Sequence, residues 1–75
     1  MIYNKHITID PKVMVGKPII AGTRIPVELV LEKLAQNTDI DVILRDYPRL
    51  TKEDIKAALQ YAHDLLQGEE VYPSA

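Results

Sequence analysis

Apolar side chains along this chain follow two different periods, and the switch between them falls at Pro26. Before it, Ile7 and Ile9 alternate with Thr8 and Asp10, the period of a half-buried strand. Asp10-Pro11 interrupts that segment, because proline disfavours the helical region for the residue before it. Val13 and Val15 alternate again up to a turn at Gly16-Lys17-Pro18, and Ile19-Ile20 is a short apolar run closed by a turn at Ala21-Gly22-Thr23. Pro26 restricts Ile25, so Arg24-Ile25-Pro26 reads as extended. Residues 1–26 are therefore predicted to form a short β-hairpin or a pair of arms with exposed edges.

After Pro26 the period is helical. Val27, Val30, Leu31 and Leu34 fall on one face of a first helix, widened by Leu29, and Asn37 is suited to end it in the left-handed conformation. Thr38 is the expected cap of a second helix, with Asp39 and Asp41 in a first turn where the macrodipole favours negative charge. Ile40, Ile43, Leu44 and Tyr47 are its expected buried face, and Pro48 its stop. Thr51 is expected to cap the third helix, with Asp54 three residues later as a short version of the capping box. Ile55, Ala58, Leu59, Ala62 and Leu66, joined by Leu65, are the expected inner face, and Gly68 the end. A helical body over residues 27–67 thus precedes a polar tail, residues 68–75, that carries Val71 and Tyr72. The whole reads as one domain. Three short helices, the last two joined by a tight turn at Pro48-Arg49-Leu50, have the layout of a helix-turn-helix, so the fold class is mainly α.

Composition changes this picture in one respect. Among 75 residues there is no cysteine, and the four aromatics are all tyrosine, so the core is to be built from Ile, Leu, Val and Ala without a disulfide. A chain this short buries only about 60–65% of its unfolded surface. Burial against a second copy is therefore expected, giving a homodimer in which the N-terminal segments pair or cross. No run of eighteen apolar residues is present, and the first ten residues lack a basic segment followed by an apolar one, so the expectation is a soluble, cytoplasmic protein with no membrane partner.

Charge narrows the function. The net charge is −2 and the pI about 5.5, well below the value of about 9 that marks a typical nucleic-acid module. The distribution is uneven: four basic residues against one acidic residue through Pro26, a net of +3, and five against ten afterwards, a net of −5. Nucleic-acid binding would have to rest on a local patch. The candidate patch is the outer stripe of the third helix: Lys52, Lys56 and Gln60, four residues apart, with His63 slightly offset. Lysine suits phosphates or guanine, and glutamine can pair bidentately with adenine. Arg45 and Arg49 flank the turn and could hold the backbone, which fixes register while base contacts specify. The plainer alternative is a solvated face, with Lys56 paired to Glu53 or Gln60.

Other chemistries find no support. Read as an EF-hand from Asp39, the loop would need glycine at its sixth position and glutamate at its twelfth, where Leu44 and Leu50 stand, so Asp39 and Asp41 read as helix-capping residues. His6 and His63 have no companion at metal-ligand spacing and read as solvated. Gly16-Lys17 resembles the end of a phosphate loop, but Pro11 replaces the first glycine and Pro18 the hydroxyl residue. The single serine, Ser74, has no base partner in view. The expectation is a protein without catalytic residues, metal or cofactor.

The order of motifs carries a resemblance. Ile9-Asp10-Pro11, Gly16-Lys17-Pro18-Ile19-Ile20, Gly22-Thr23-Arg24-Ile25-Pro26-Val27, Tyr47-Pro48, Leu50-Thr51, Asp54-Ile55, Ala57-Ala58-Leu59 and Tyr61-Ala62 resemble the bacterial domain-of-unknown-function family four-three-three, over about Ile7 to Leu66. The resemblance implies a homeodomain-like helix-turn-helix fold. It also implies the VapB-like antitoxin half of a type II toxin–antitoxin pair, neutralising a PIN-like ribonuclease toxin, with its own operator DNA as a further ligand. Two departures stand out: Asn37 occupies a position where the family often has glycine, and no Lys or Arg follows Leu66, so no inhibitory basic side chain carries over. The alternatives are a helix-turn-helix regulator with no toxin partner and a plain protein-interaction module. Val71 and Tyr72 are the candidate anchors for the toxin, since a tail that orders on binding uses a few apolar residues; packing back on the dimer's own helices is the other reading. Gly22 is expected at positive φ, and Arg24 either bridges the hairpin to a helix C-terminus or the acidic body, or contacts toxin or DNA.

Overall fold

Ile7 and Ile20, both fully buried, face one another across a two-stranded antiparallel sheet. The computed structural model describes residues 4–12 and 14–68, with Met14 by its backbone alone. Strand β1 (Ile7–Ile9) pairs with β2 (Pro18–Ile20), Thr8 opposite Ile19 and Ile9 opposite Pro18. Proline is tolerated there because it is the first residue of its strand. Asp10 Oδ1 receives the Lys12 amide at 2.9 Å, an Asx turn that breaks β1 at the expected place.

The alternation expected to continue through Val15 does not form. Met14–Gly16 make one tight helical turn, with Val15 at φ 57° and Gly16 at φ 79°, and the Val15 side chain is 94% exposed. Bringing Pro18 back opposite Ile9 requires the chain to reverse between them, and two successive left-handed residues help to make the reversal. Val13 lies outside the described residues. The hairpin edges are also less open than expected. Asn4 Oδ1 accepts the amides of His6 (2.7 Å) and Ile7 (3.0 Å), and Asn4 and Ile7 exchange backbone hydrogen bonds, which closes β1 at Ile7. On the other side the Ile20 amide donates to the Ile25 carbonyl at 2.9 Å, and Ile19 bridges Pro26. Between them Gly22 takes φ 78°, and the Thr23 hydroxyl donates to the Ile20 carbonyl at 2.7 Å, closing the expected turn.

Pro26 ends the extended segment and begins helix α1 (Val27–Ala35), its carbonyl receiving the Leu29 amide at 3.1 Å. Asn37, at φ 62°, ends α1 as expected. The Asn37 amide donates to the Leu34 carbonyl and the Thr38 amide to the Lys33 carbonyl, both at 3.0 Å, the paired bonds of a Schellman motif. The cap expected at Thr38 lies one residue later: Thr38 closes the Schellman motif through its amide, and the N-cap position of α2 (Ile40–Asp46) falls to Asp39, whose carbonyl receives the Val42 and Ile43 amides and whose side chain makes no capping hydrogen bond. Helix α3 (Lys52–Gly68) follows a turn around Pro48 and Arg49 that Leu50, 5% exposed, anchors in the core.

The core is Ile7, Ile20, Val27, Val30, Ile43, Leu50, Ile55 and Ala58, with Leu31, Leu34, Leu44, Tyr47 and Tyr61 packed around it. It is aliphatic, as the composition predicts. Several residues expected inside are not: Ile40 is 42% exposed, and Leu59, Leu65 and Leu66 are 48%, 54% and 65% exposed. Leu59 lies in the first half of α3, one residue past the buried Ala58 and at the edge of the buried face, whereas Leu65 and Leu66 stand near the C-terminal end of this 17-residue helix. Among the described residues no helix is long and apolar enough to cross a membrane.

Candidate nucleic-acid interface

The start of α3 is fixed by three side chains. The Thr51 hydroxyl accepts the Asp54 amide, and Asp54 Oδ2 accepts the Thr51 amide, both at 3.1 Å, so the reciprocal capping box legible in the sequence is formed. The other Asp54 oxygen lies 3.0 Å from His6 Nδ1. His6 is thus no solvated arm residue: it ties the segment before β1 to the first turn of α3. The preceding turn is tied down as well, since Arg49 Nη1 donates to the Gly22 carbonyl at 3.1 Å.

On this frame Arg45, Arg49, Lys52, Lys56 and Gln60 are all exposed. Arg45 sits in the last turn of α2, Arg49 in the turn, and Lys52 and Lys56 on successive turns of α3, one above the other. Gln60 continues that stripe in position but not in character. Its Nε2 donates to Asp64 Oδ1 at 2.9 Å, and the same oxygen lies 3.2 Å from His63 Nδ1. The outer face of α3 is therefore basic at its N-terminal end and tied to an acid from Gln60 onward. A groove-reading surface can use the first half of the helix and the turn before it, whereas Gln60 would have to leave Asp64 to offer its amide hydrogens to adenine. The pairing of Lys56 with Glu53 or Gln60 is not formed among the described residues, while the exposure of Lys52, Lys56 and Gln60 is equally that of a solvated helix face.

A residue that periodicity did not point to joins this surface. Arg24 and Arg49 line one surface cleft of about 470 Å³ with Gly22 and Thr23. Arg24 makes no ion pair among the described residues, so the bridge to an acidic group expected for it is not formed. In the sequence Arg24 stands out through the Gly22-Thr23-Arg24-Ile25-Pro26-Val27 motif and the acid-poor N-terminal third, with contact to toxin or DNA as one of its readings. Elsewhere, an apolar groove of about 290 Å³ runs between β2, α1 and α3, bounded by Val27, Leu31, Tyr61 and Leu65, with the Lys17–Glu28 ion pair at its rim. Among the described residues, no group of three or more His, Asp or Glu is placed to hold a metal ion. Val71 and Tyr72, the expected partner anchors, lie outside the described residues.

Comparison with known proteins adds three findings. Residues 7–62 match a family described as "Protein of unknown function (DUF433)". Over 56 residues the chain is 34% identical to the uncharacterized protein y4eO of Sinorhizobium fredii, covering 75% of this chain and 25% of that protein. The chain thus spans about a quarter of the length of that curated relative. The crystal structure of a DUF433 member from Anabaena variabilis superposes with a TM-score of 0.79 at 34% identity, covering 87% of this chain and 64% of that one. The matched span runs from β1 into α3 and includes every basic residue of the candidate surface; Leu65, Leu66 and the tail lie beyond it.

Proposed function

This chain belongs to the DUF433 family, and we propose that it is a DNA-binding helix-turn-helix protein serving as the antitoxin of a type II toxin–antitoxin pair. The observation that carries the DNA half is the placement of Arg45, Arg49, Lys52 and Lys56, all exposed, around the α2–α3 turn and the first half of α3. With a net charge of −2, a local basic surface is the arrangement that nucleic-acid binding requires of this chain. Lys52 and Lys56 approach the groove, while Arg45 and Arg49 hold phosphates and set the register. In a homodimer two copies of α3 read half-sites about one helical turn apart.

The partner half rests on the opposite kind of surface. Leu59, Leu65 and Leu66 are about half exposed or more and gain from cover by a second copy or by a PIN-like ribonuclease toxin. Val71 and Tyr72 extend that contact. The protein works in the cytoplasm, by occupancy alone, with no reaction, metal or cofactor of its own.

Co-purification separates the two halves. A PIN-like protein encoded beside this chain should co-purify with it and lose ribonuclease activity in the complex. Operator binding without any co-purifying toxin would leave the regulator reading in place of the antitoxin one.

A further inference from the structure

The turn that joins β2 to α1 and the turn that joins α2 to α3 are distant in sequence, yet the cleft of about 470 Å³ brings Arg24 from one beside Arg49 from the other. Guanidinium groups keep their charge throughout the working range of a protein. Two of them therefore share one cleft on a chain whose net charge is −2. No carboxylate lines the cleft, and neither arginine takes part in an ion pair among the described residues. Like charges gathered without a countercharge repel even at the high effective dielectric of a surface. The bond from Arg49 to the Gly22 carbonyl holds one of the two in place, and an anion between them would supply the missing countercharge.

The two arginines differ in how they are held. Arg49 spends one donor on the Gly22 carbonyl, which anchors its head and leaves four of its five N–H groups for a ligand. A guanidinium anchored in this way loses less freedom when a second partner arrives. Arg24 is exposed and has no ion pair among the described residues, so it can close from the other side. The Thr23 hydroxyl between them is committed to the Ile20 carbonyl and the Ile25 amide, so recognition falls to the two planar forks. Such forks match the oxygens of a phosphate bidentately, which a lysine cannot do.

We propose that Arg24 and Arg49 form a clasp for one phosphate group. The assignment rests on the DNA-binding reading: Lys52 follows Arg49 within one turn of α3, so the phosphate is a backbone phosphodiester flanking the groove that α3 enters. A free or ligand-borne phosphate offers the same chemistry, and the test distinguishes the two sources.

Two measurements are paired. The arginine side-chain N–H resonances of the full chain are followed as inorganic phosphate is added against chloride at constant ionic strength. The salt dependence of binding to a mixed-sequence DNA duplex is then compared for the wild type and for Arg24→Gln, a change that removes no hydrogen bond among the described residues. Arg49→Lys, which keeps the charge and loses the fork, is the second variant. Saturable shifts at Arg24 and Arg49, with a log–log salt slope flatter by about one in the Arg24→Gln variant, are the expected result. A flatter slope without shifts in free phosphate supports the backbone source. Saturable shifts with an unchanged slope keep the clasp but assign it to a small phosphorylated ligand. Arg49→Lys, whose charge and slope are retained, is read by loss of the saturable phosphate shifts. Absent shifts and an unchanged slope in Arg24→Gln overturn the clasp. If Lys52→Ala/Lys56→Ala still flattens the slope in that case, DNA binding itself survives.

Discussion

His6 Nδ1 lies 3.0 Å from Asp54 Oδ1, 48 positions along the chain, while the other oxygen of the same carboxylate closes the capping box with Thr51. One side chain thus joins the segment entering the hairpin to the helix that carries the basic stripe. The Asp54 side chain is 13% exposed and that of His6 32%, so the contact is partly shielded and its strength lies above that of an open surface pair. Loss of Asp54 frees both the α3 N-terminus and the hairpin, whereas loss of His6 frees only the second.

The expected outcome is asymmetric. Asp54→Ala should cost about 1–2 kcal/mol of unfolding free energy, and His6→Ala about half of that. A double-mutant cycle by urea denaturation should give a coupling of about 0.5–1 kcal/mol. A coupling of zero would show that the two residues are neighbours without being partners.

Val15 predicts the opposite sign. Its left-handed backbone, φ 57°, is unfavourable for a β-branched residue, and its side chain is 94% exposed and so contributes no burial. Val15→Gly should raise stability by about 0.5–1 kcal/mol, the relief of strain exceeding the added flexibility of the unfolded chain. In a domain of this size that is a rise of several degrees in Tm, and a fall in Tm would contradict it.

The exposed leucines separate folding from association. Leu66 is 65% exposed, so Leu66→Glu should change the unfolding free energy by less than about 0.5 kcal/mol. If this end of α3 carries the second copy, light scattering should show the variant shifted toward the monomer. A variant that remains as associated as the wild type would place the contact elsewhere, the hairpin first.

Local features were legible in the sequence because their causes are local. Asn37 and the Thr51–Asp54 pair each act within a few residues, so their chemistry alone specified the end of α1 and the start of α3. Thr38 shows where such reasoning runs out. One short connection serves two helices: Thr38 closes the Schellman motif of α1 through its amide, and the N-cap of α2 is Asp39. Periodicity found the apolar face of α3 but not its cover: Ile55 and Ala58 are buried while Leu59, Leu65 and Leu66 on the same helix are not. Contacts across the fold left no local trace. His6 with Asp54, and Arg49 with the Gly22 carbonyl 27 positions away, exist only after the hairpin has packed on the helices. The basic stripe was visible as spacing, yet the acid that claims Gln60 became meaningful only with its bond.

DNA binding by the α2–α3 turn and the first half of α3 is tested most directly by its salt dependence. Fluorescence anisotropy with a duplex from upstream of this chain's own gene, titrated between about 50 and 200 mM salt, should show affinity falling steeply for the wild type. The slope should flatten by about two in Lys52→Ala/Lys56→Ala, about one for each phosphate no longer neutralised, and should be unchanged in Gln60→Ala. Absence of binding at the lowest salt, or a double variant with the wild-type slope, would contradict the assignment of this face to DNA.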